Sequence, residues 1–313
     1  MSQPMTPSRG QLELRIEHGR IAECHPQLTL PDVASLLDGL SYPQVLQQLK
    51  QMFVQCGEAQ RWAAVSLLEA ELEISTATQA ARAQALWLEW LSEHSWQLWR
   101  CAHLVLPHSD ERAAMHNQWR QQLAAIRAEL AVERHQIGAE VSPIAMPDLS
   151  DWRDQWCQLV YEPLLDEIAA HDWSQCFVSN SSDVKQLESG PAHRQHMGDV
   201  SISDRLEAIW TELWHAAAWA LHPEEVASPL QEPGVVNAAC GIISHHCEWD
   251  DGEAGFYEIE LPIVSAVESI RHSLLGKAFV DSAAWRRGLS LWLQSHEPCI
   301  ELELEFVDGL GDQ

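Results

Sequence analysis

Cysteines, histidines and carboxylates are the groups in this chain that could hold a soft metal. The 313 residues include eight cysteines and 16 histidines. Three cysteines sit where local structure could make them chemical. Cys56 stands in Phe53-Val-Gln-Cys-Gly-Glu-Ala-Gln-Arg-Trp-Ala-Ala-Val-Ser-Leu-Leu-Glu-Ala, at the mouth of an Ala-rich helical pattern. Amide dipoles at a helix start favour a thiolate there. Cys299 follows Pro298, whose ring fixes the local backbone, in Ser295-His-Glu-Pro-Cys-Ile-Glu-Leu-Glu-Leu-Glu-Phe. Cys240 lies in Gly234-Val-Val-Asn-Ala-Ala-Cys-Gly-Ile-Ile-Ser-His-His-Cys-Glu-Trp-Asp-Asp-Gly-Glu. Thiolates select soft metals. The competing account is that each is a buried thiol, since free cysteine is among the most buried residue types. A small residue on a core-facing strand is enough to explain Cys240.

Other candidates carry less. His245 and His246 are adjacent on a strand pattern and so face opposite ways, which prevents them sharing one ion. His193 and His196 lie in a polar stretch and suit adventitious metal at most. Cys24-His25 reads as structural or surface. Trp87, Trp90, Trp96, Trp99, Trp210, Trp214 and Trp219 recur at helical spacing and read as core, some of them as docking anchors. Gly309-Leu-Gly311 has no helix after it, so no phosphate loop is expected.

The elements that must position these groups are mostly helical. A strand pair, Leu12–Ile16 and Arg20–Glu23, turns at His18-Gly19. Helices are expected to start at Pro31-Asp32 and Tyr42-Pro43. Longer ones should span Glu58–Ile74, Thr78 to Leu104, Asp110 to Ile137 and Asp151 to Ala170. Residues 139–150 read as a connector and 178–200 as a loop. A helix runs from Ser203 to Leu221, with Asp204 and Glu207 in its first turn. The period then changes to a hairpin, Ala239–Trp249 and Phe256–Leu261, around Asp250-Asp251-Gly252. Helices near Ser265–Leu275 and Ser282–Gln294 and a strand Ile300–Val307 follow. The expected class is mainly α with minor β (α+β), one domain over 1–313.

Charge narrows the partners. There are 46 acidic against 19 basic residues, a net charge of −27. Such a field repels nucleic-acid backbones and anionic lipid heads and attracts basic protein surfaces. Met1 to Gly10 contains no apolar core, and no apolar run approaches the ~20 residues of a membrane helix. A cytoplasmic, reducing setting is expected.

Taken in order, the motifs resemble the large subunit of nickel-iron hydrogenases. Cys56-Gly57 resembles that family's Cys-Gly-x-Cys. Gly190-Pro191-x-x-Arg194 is similar to its Gly-Pro-x-x-Arg element. Ala238-Ala239-Cys240-Gly241, followed by a strand ending in Pro262, is similar to its Ala-Ala-Arg-Gly hairpin. Glu297-Pro298-Cys299 is similar to its terminal Asp-Pro-Cys-x-x-Cys-x-x-His. The departures are specific. The second cysteine positions hold Ala59 and Leu302, Glu305 stands where the histidine would be, Cys240 replaces an arginine, and Val54 replaces another. A bridged two-metal site needs more thiolates than these, so hydrogen activation is not expected.

This pattern resembles the HupK/HoxV family of hydrogenase accessory proteins. The resemblance implies a non-enzymatic scaffold that transiently holds the Fe(CN)2(CO) iron unit, without nickel, and passes it to the true large subunit. It implies Cys56 and Cys299 as metal ligands, with Cys240 beside them as a third ligand or as a thiol donor towards the cyanides. It implies HypC/HupF-type chaperones and a HypD-type maturation protein as partners. Two readings stand beside it: a metal-free adaptor that mimics the large subunit to dock those chaperones, and a degenerate hydrogenase.

Overall fold

A computed structural model describes residues 9–30, 32–75, 78–195, 198–296, 300 and 302–308. The chain opens with β1 (Arg9–Glu17) and β2 (Arg20–Thr29). They are joined through His18 and Gly19, both at positive φ, as a two-residue turn matching the strand twist requires. The expected helix at Pro31-Asp32 is only one short turn, Ala34–Leu36. Helix α1 (Tyr42–Met52) starts where Tyr42-Pro43 predicts, with a Ser41/Gln44 capping box. Then come α2 (Gly57–Glu71), α3 (Gln79–Val105) and α4 (Asp110–Ala128). Ser109 caps α4 by accepting from the Arg112 amide. The helix expected to reach Ile137 stops at Ala128 and resumes as a single turn, Val132–His135.

Residues 139–149 are irregular. Helices α5 (Ser150–Trp156) and α6 (Glu162–Ala170) are joined by a π-turn, Cys157–Tyr161. The segment 178–200, expected as a loop, contains short helices: α7 (Trp173–Cys176) precedes it, and α8 (Ser181–Leu187) and α9 (Pro191–Arg194) lie within it. Its polar composition hides two helix starts, the Asn180 cap and Pro191 in the first turn. The segment also holds β3 (Val178–Ser179), which pairs with β4 (Val200–Ser201). Helix α10 (Ile202–Leu221) is fixed by a Ser201/Asp204 capping box.

Strands β5 (Leu230–Glu232), β6 (Val235–Ala238), β7 (Gly241–Asp250) and β8 (Glu253–Glu260) make one antiparallel sheet in chain order. The β7–β8 hairpin is the expected one, and its tip, Asp251-Gly252, takes positive φ. Helices α11 (Pro262–Leu274) and α12 (Ala283–Gln294) follow. Strand β9 (Leu302–Asp308) closes a second sheet by pairing parallel with β1.

Helix α3 is the axis of the molecule. Its 27 residues span roughly 40 Å at 1.5 Å per residue. It is buried on most of its surface and packs against α2, α4, α10 and α12. Its buried face also includes polar residues, Arg82, Gln84, Glu89, His94 and Gln97 among them. The apolar core runs from Leu12 and Leu14 through Trp62, Trp87, Trp90 and Leu213 to Trp292 and Ile300. Both ends of the chain thus share one apolar interior, the arrangement a site built from Cys56 and a C-terminal motif would need. Among the described residues, no helix is long and apolar enough to cross a membrane.

Candidate functional site

The site is built where the mouth of α2 meets the turn between β6 and β7. Cys56 caps α2 in the left-handed conformation, φ 53°, and is 4% exposed. Its backbone N–H donates to Glu93 Oε1 at 2.5 Å, and its Sγ lies 3.3 Å from Glu93 Oε2. One turn earlier on α3, Glu89 accepts from the amides of Glu58 and Ala59 at 2.6 and 3.1 Å. The first amides of α2 therefore serve a buried carboxyl rather than the Cys56 sulfur, contrary to the simple helix-start expectation. Burial, together with the charges of Glu93 and Glu58, pushes the Glu89 carboxyl well above its ordinary range.

Cys240 arrives from the other side. Its Sγ stands 3.0 Å from Cys56 Sγ, across 184 residues of sequence. The turn that presents it is held by Arg194 at the end of α9. That guanidinium donates to the Ala238 and Ala239 carbonyls at 3.1 and 2.9 Å and to Ser189 O at 2.9 Å. It also forks onto Glu212 of α10 at 2.8 and 2.5 Å and lies 4.4 Å from the Trp90 ring centroid. Burial works against the charge of Glu212, but Arg194 overcomes it and brings the carboxyl down to about 2. Gly241 has φ +141°, and a Cβ there would lie 2.8 Å from Pro262 Cβ and collide with Ser189 Oγ. Only glycine fits this turn.

Three supports keep these elements in register. Glu58, one residue into α2, is buried and pairs with Arg61, with Arg134 at 2.7 Å and with His135 at 2.8 Å. Burial opposes its charge, but the His135 hydrogen bond and the two guanidiniums outweigh it and keep its carboxyl low. His135 is itself pushed down to about 4 by burial, so at neutral pH it donates as a neutral ring. His245 of β7 is fully buried between Tyr257 Oη at 2.8 Å and Gln60 Oε1 at 2.5 Å. It ties the hairpin to α2 one turn past Cys56, and burial holds it near 3. As the strand alternation predicts, His245 and His246 are divided between core and surface. The third support lies behind Cys240, around a cavity of about 10 Å³ lined in part by Ser189, Pro262, Arg205 and His296. There Arg205 pairs with Glu188 at 2.7 Å.

On the outer side of α2 an open cavity of about 470 Å³ reaches Gly57. Lys50, Arg61, Arg127 and Arg134 line it together with Glu58 and Glu89, and Val54 and Val132, 93% and 76% exposed, are also in its lining. Four of the 19 basic residues of an acidic chain meet there.

Of the expected site residues, Cys56 and Cys240 are brought together. Cys299 and its neighbours Glu297 and Pro298 lie outside the described residues, as does His196. Ala59, at a second-cysteine position, is fully buried. Leu302 and Glu305 lie on β9, where Glu305 accepts from Gln11. Cys24 is buried, His25 bonds Glu23, and His193 lies 3.3 Å from Val184 O. Trp87, Trp90 and Trp210 are core, while Trp96 is 39% exposed. Glu89, Glu93 and Glu212 were not singled out in the sequence. Their signal was two carboxylates four residues apart in a Trp- and Leu-rich stretch of α3, and another acid on the buried face of α10. Among the described residues, three or more potential ligands lie within reach of one ion only at the exposed trio His222, Glu224 and Glu225, remote in character from a thiolate site.

No family model and no curated protein matches the chain. Solved structures do. The reduced Ni-Fe-Se hydrogenase from D. vulgaris Hildenborough superposes with a TM-score of 0.62 at 11% identity, covering 91% of this chain and 94% of that one. The oxygen-pressurised G491S variant of the [NiFeSe] hydrogenase from Desulfovibrio vulgaris Hildenborough gives 0.60 with the same identity and coverage. At that identity the likeness shows the fold alone, and the chain has the α+β fold of a hydrogenase large subunit.

Proposed function

We propose that this chain is a maturation scaffold of the HupK/HoxV kind, which takes up an Fe(CN)2(CO) unit as cargo and yields it to a hydrogenase large subunit. The observation that carries the reading is the 3.0 Å approach of Cys56 and Cys240 sulfurs. Two thiolates on neighbouring corners of an octahedral metal, with bonds of about 2.3 Å, stand roughly 3.3 Å apart. The pair is close to that bite, and its softness suits low-spin iron(II). With Cys56, Cys299 is the other expected metal ligand, and Cys240 is the third sulfur. Ala59 supplies no ligand, so the grip is weaker than a four-thiolate site and suits a carrier that releases.

The same donor set argues against hydrogen turnover and nickel, because the second cysteines of a bridged pair are replaced. The open, charged cavity beside Gly57, where four basic residues meet Glu58 and Glu89, offers a docking place next to the site. HypC/HupF-type chaperones and a HypD-type protein are the proposed partners, in the cytoplasm.

The test is infrared spectroscopy of protein purified without oxygen from cells carrying the maturation machinery, beside Cys56→Ala, Cys240→Ala and Cys299→Ala. Bands in the cyanide and carbon monoxide stretching region, lost in Cys56→Ala and Cys299→Ala and weakened in Cys240→Ala, are expected. A protein without bands that still captures the chaperones would replace this reading with the metal-free adaptor.

A further inference from the structure

Two thiols in contact on fixed backbones form a reactive unit whether or not a metal ever visits them. Cys56 is immobilised by its left-handed backbone and by Glu93, which takes both its amide and its thiol. Cys240 is immobilised by Arg194 on the two preceding carbonyls and by Gly241, which closes the turn against Ser189 and Pro262. Their sulfurs are 3.0 Å apart. A disulfide needs about 2.05 Å, so closure requires a movement of about 1 Å. The two differ in access: Cys56 is buried and Cys240 is half-buried. The pair therefore has an outer thiol to meet a reagent and an inner thiol to resolve it.

We propose that Cys56 and Cys240 are a reversible modification site, closing to an intramolecular disulfide by exchange with a small disulfide such as oxidised glutathione. The Cys240 sulfur attacks one sulfur of the reagent, giving a mixed disulfide and releasing one small thiol. Cys56 then attacks the Cys240 sulfur and expels the second small thiolate, which receives the Cys56 proton by way of Glu93 and leaves as a thiol. In sum, two protein thiols and one small disulfide become one protein disulfide and two small thiols, and the reagent takes the two electrons. Glu93 Oε2 is already placed on the Cys56 sulfur to accept the proton. Burial drives the Cys24 thiol up to about 11, so Cys24 is not expected to compete with the Cys56–Cys240 pair. On the iron reading, closure would remove two ligands at once and keep the scaffold from loading in oxidising conditions. The disulfide itself does not depend on that reading.

The test uses the full reduced chain, without metal, equilibrated in glutathione buffers of increasing oxidised fraction, then quenched with an alkylating agent and mapped by peptide mass spectrometry. Expected is one linked peptide pair containing Cys56 and Cys240, a loss of the mass of two hydrogens, and full reversal by reduced glutathione. Cys299→Ser should keep the link. Cys240→Ser should remove it while its circular dichroism matches the parent. Glu93→Gln should slow closure at neutral pH at least several-fold without changing which cysteines join. A link from Cys56 to Cys299 instead, or both thiols alkylated at every buffer composition, would overturn the proposal. Iron loading, read separately by infrared bands, can fail with the disulfide intact, and the reverse, so the two readings stand or fall apart.

Discussion

Replacing Arg194 with methionine isolates the element that presents Cys240. Methionine keeps an apolar stem on Trp90 and removes the guanidinium, which leaves Glu212 buried at 4% exposure without its main cation. Arg194 is the largest influence opposing burial in bringing that carboxyl from 4.5 to about 2. At ~1.4 kcal/mol per pH unit, the shift amounts to roughly 3 kcal/mol. That falls in the ~3–5 kcal/mol range for breaking one side of a buried pair. The Ser189, Ala238 and Ala239 carbonyls also lose a charged donor. Some rehydrate, so about 1 kcal/mol more is added. The expected cost is therefore about 4–5 kcal/mol at pH 7, read as a lower urea midpoint with an unchanged slope. The pH dependence has a defined sign. In the parent, the Glu212 contribution is complete above 4.5 and is lost as pH falls through about 2. In the variant, the buried carboxyl instead takes up a proton on folding, so the gap between parent and variant narrows as pH falls from 7 towards 4.5. Adding Glu212→Gln to the variant should recover roughly 2–3 kcal/mol of it. A cost under about 1 kcal/mol, or a gap that does not change with pH, would refute the assignment of Arg194 as the clamp on this turn.

Three further outcomes follow from buried charge and backbone geometry. His116 and His135 are held near 4, and His245 and His296 near 3, in each case chiefly by burial. Depressed histidines give stability that is complete above their unfolded value of about 6.5 and lost as pH falls. Between pH 7 and 5.5 each should cost roughly 1 kcal/mol, a summed loss of about 4 kcal/mol in urea titrations; a loss under about 1 kcal/mol would contradict four neutral buried rings. Glu89→Gln should change stability by less than about 1 kcal/mol, since burial pushes this carboxyl well above its ordinary range and so towards the neutral form an amide resembles, whereas Glu58→Gln should cost about 3 kcal/mol by stranding Arg61 and Arg134. Equal effects of the two on thermal midpoint would reverse that assignment. Gly241→Ala should cost about 2–4 kcal/mol and lower the yield of the Cys56–Cys240 disulfide, because its Cβ meets Pro262 and Ser189 at positive φ; an unchanged midpoint would show that the turn yields.

The helices and hairpins were legible where local chemistry and period agreed. Tyr42-Pro43, Ser203 with Asp204, and Asp251-Gly252 each carry their own start or turn signal, and each element lies where expected, α10 starting at Ile202 behind a Ser201 cap. The misses came from signals too short to have a period. Strands β5 and β6 are three and four residues long, and α8 and α9 sit in a polar stretch that resembles a loop. The meeting of Cys56 and Cys240 was expected only through resemblance, since nothing local joins residues 184 apart. Glu93 and Glu212 were invisible for a related reason. A carboxylate on a buried helix face becomes informative only when the thiol or guanidinium that justifies it arrives from another segment.

Ala59 offers the sharpest way to ask what the missing cysteines mean. It lies three residues after Cys56, in the first turn of α2. It is wholly buried, and its amide is committed to Glu89. A sulfur added there enters packed surroundings and should cost about 1–3 kcal/mol of stability. If the site is a thiolate clamp weakened for release, Ala59→Cys should tighten it. Titration of the reduced chain with cadmium, followed by thiolate-to-metal absorption, should show at least roughly tenfold higher affinity, about 1.4 kcal/mol. The variant should still turn over no hydrogen, because Cys240 remains where an arginine stands in the enzymes the motifs resemble. Cadmium affinity equal to that of the parent, in a variant whose fold is intact by circular dichroism, would mean that position 59 does not face the sulfurs. The loss of the second cysteine would then reflect core packing around α2 and not the tuning of a carrier.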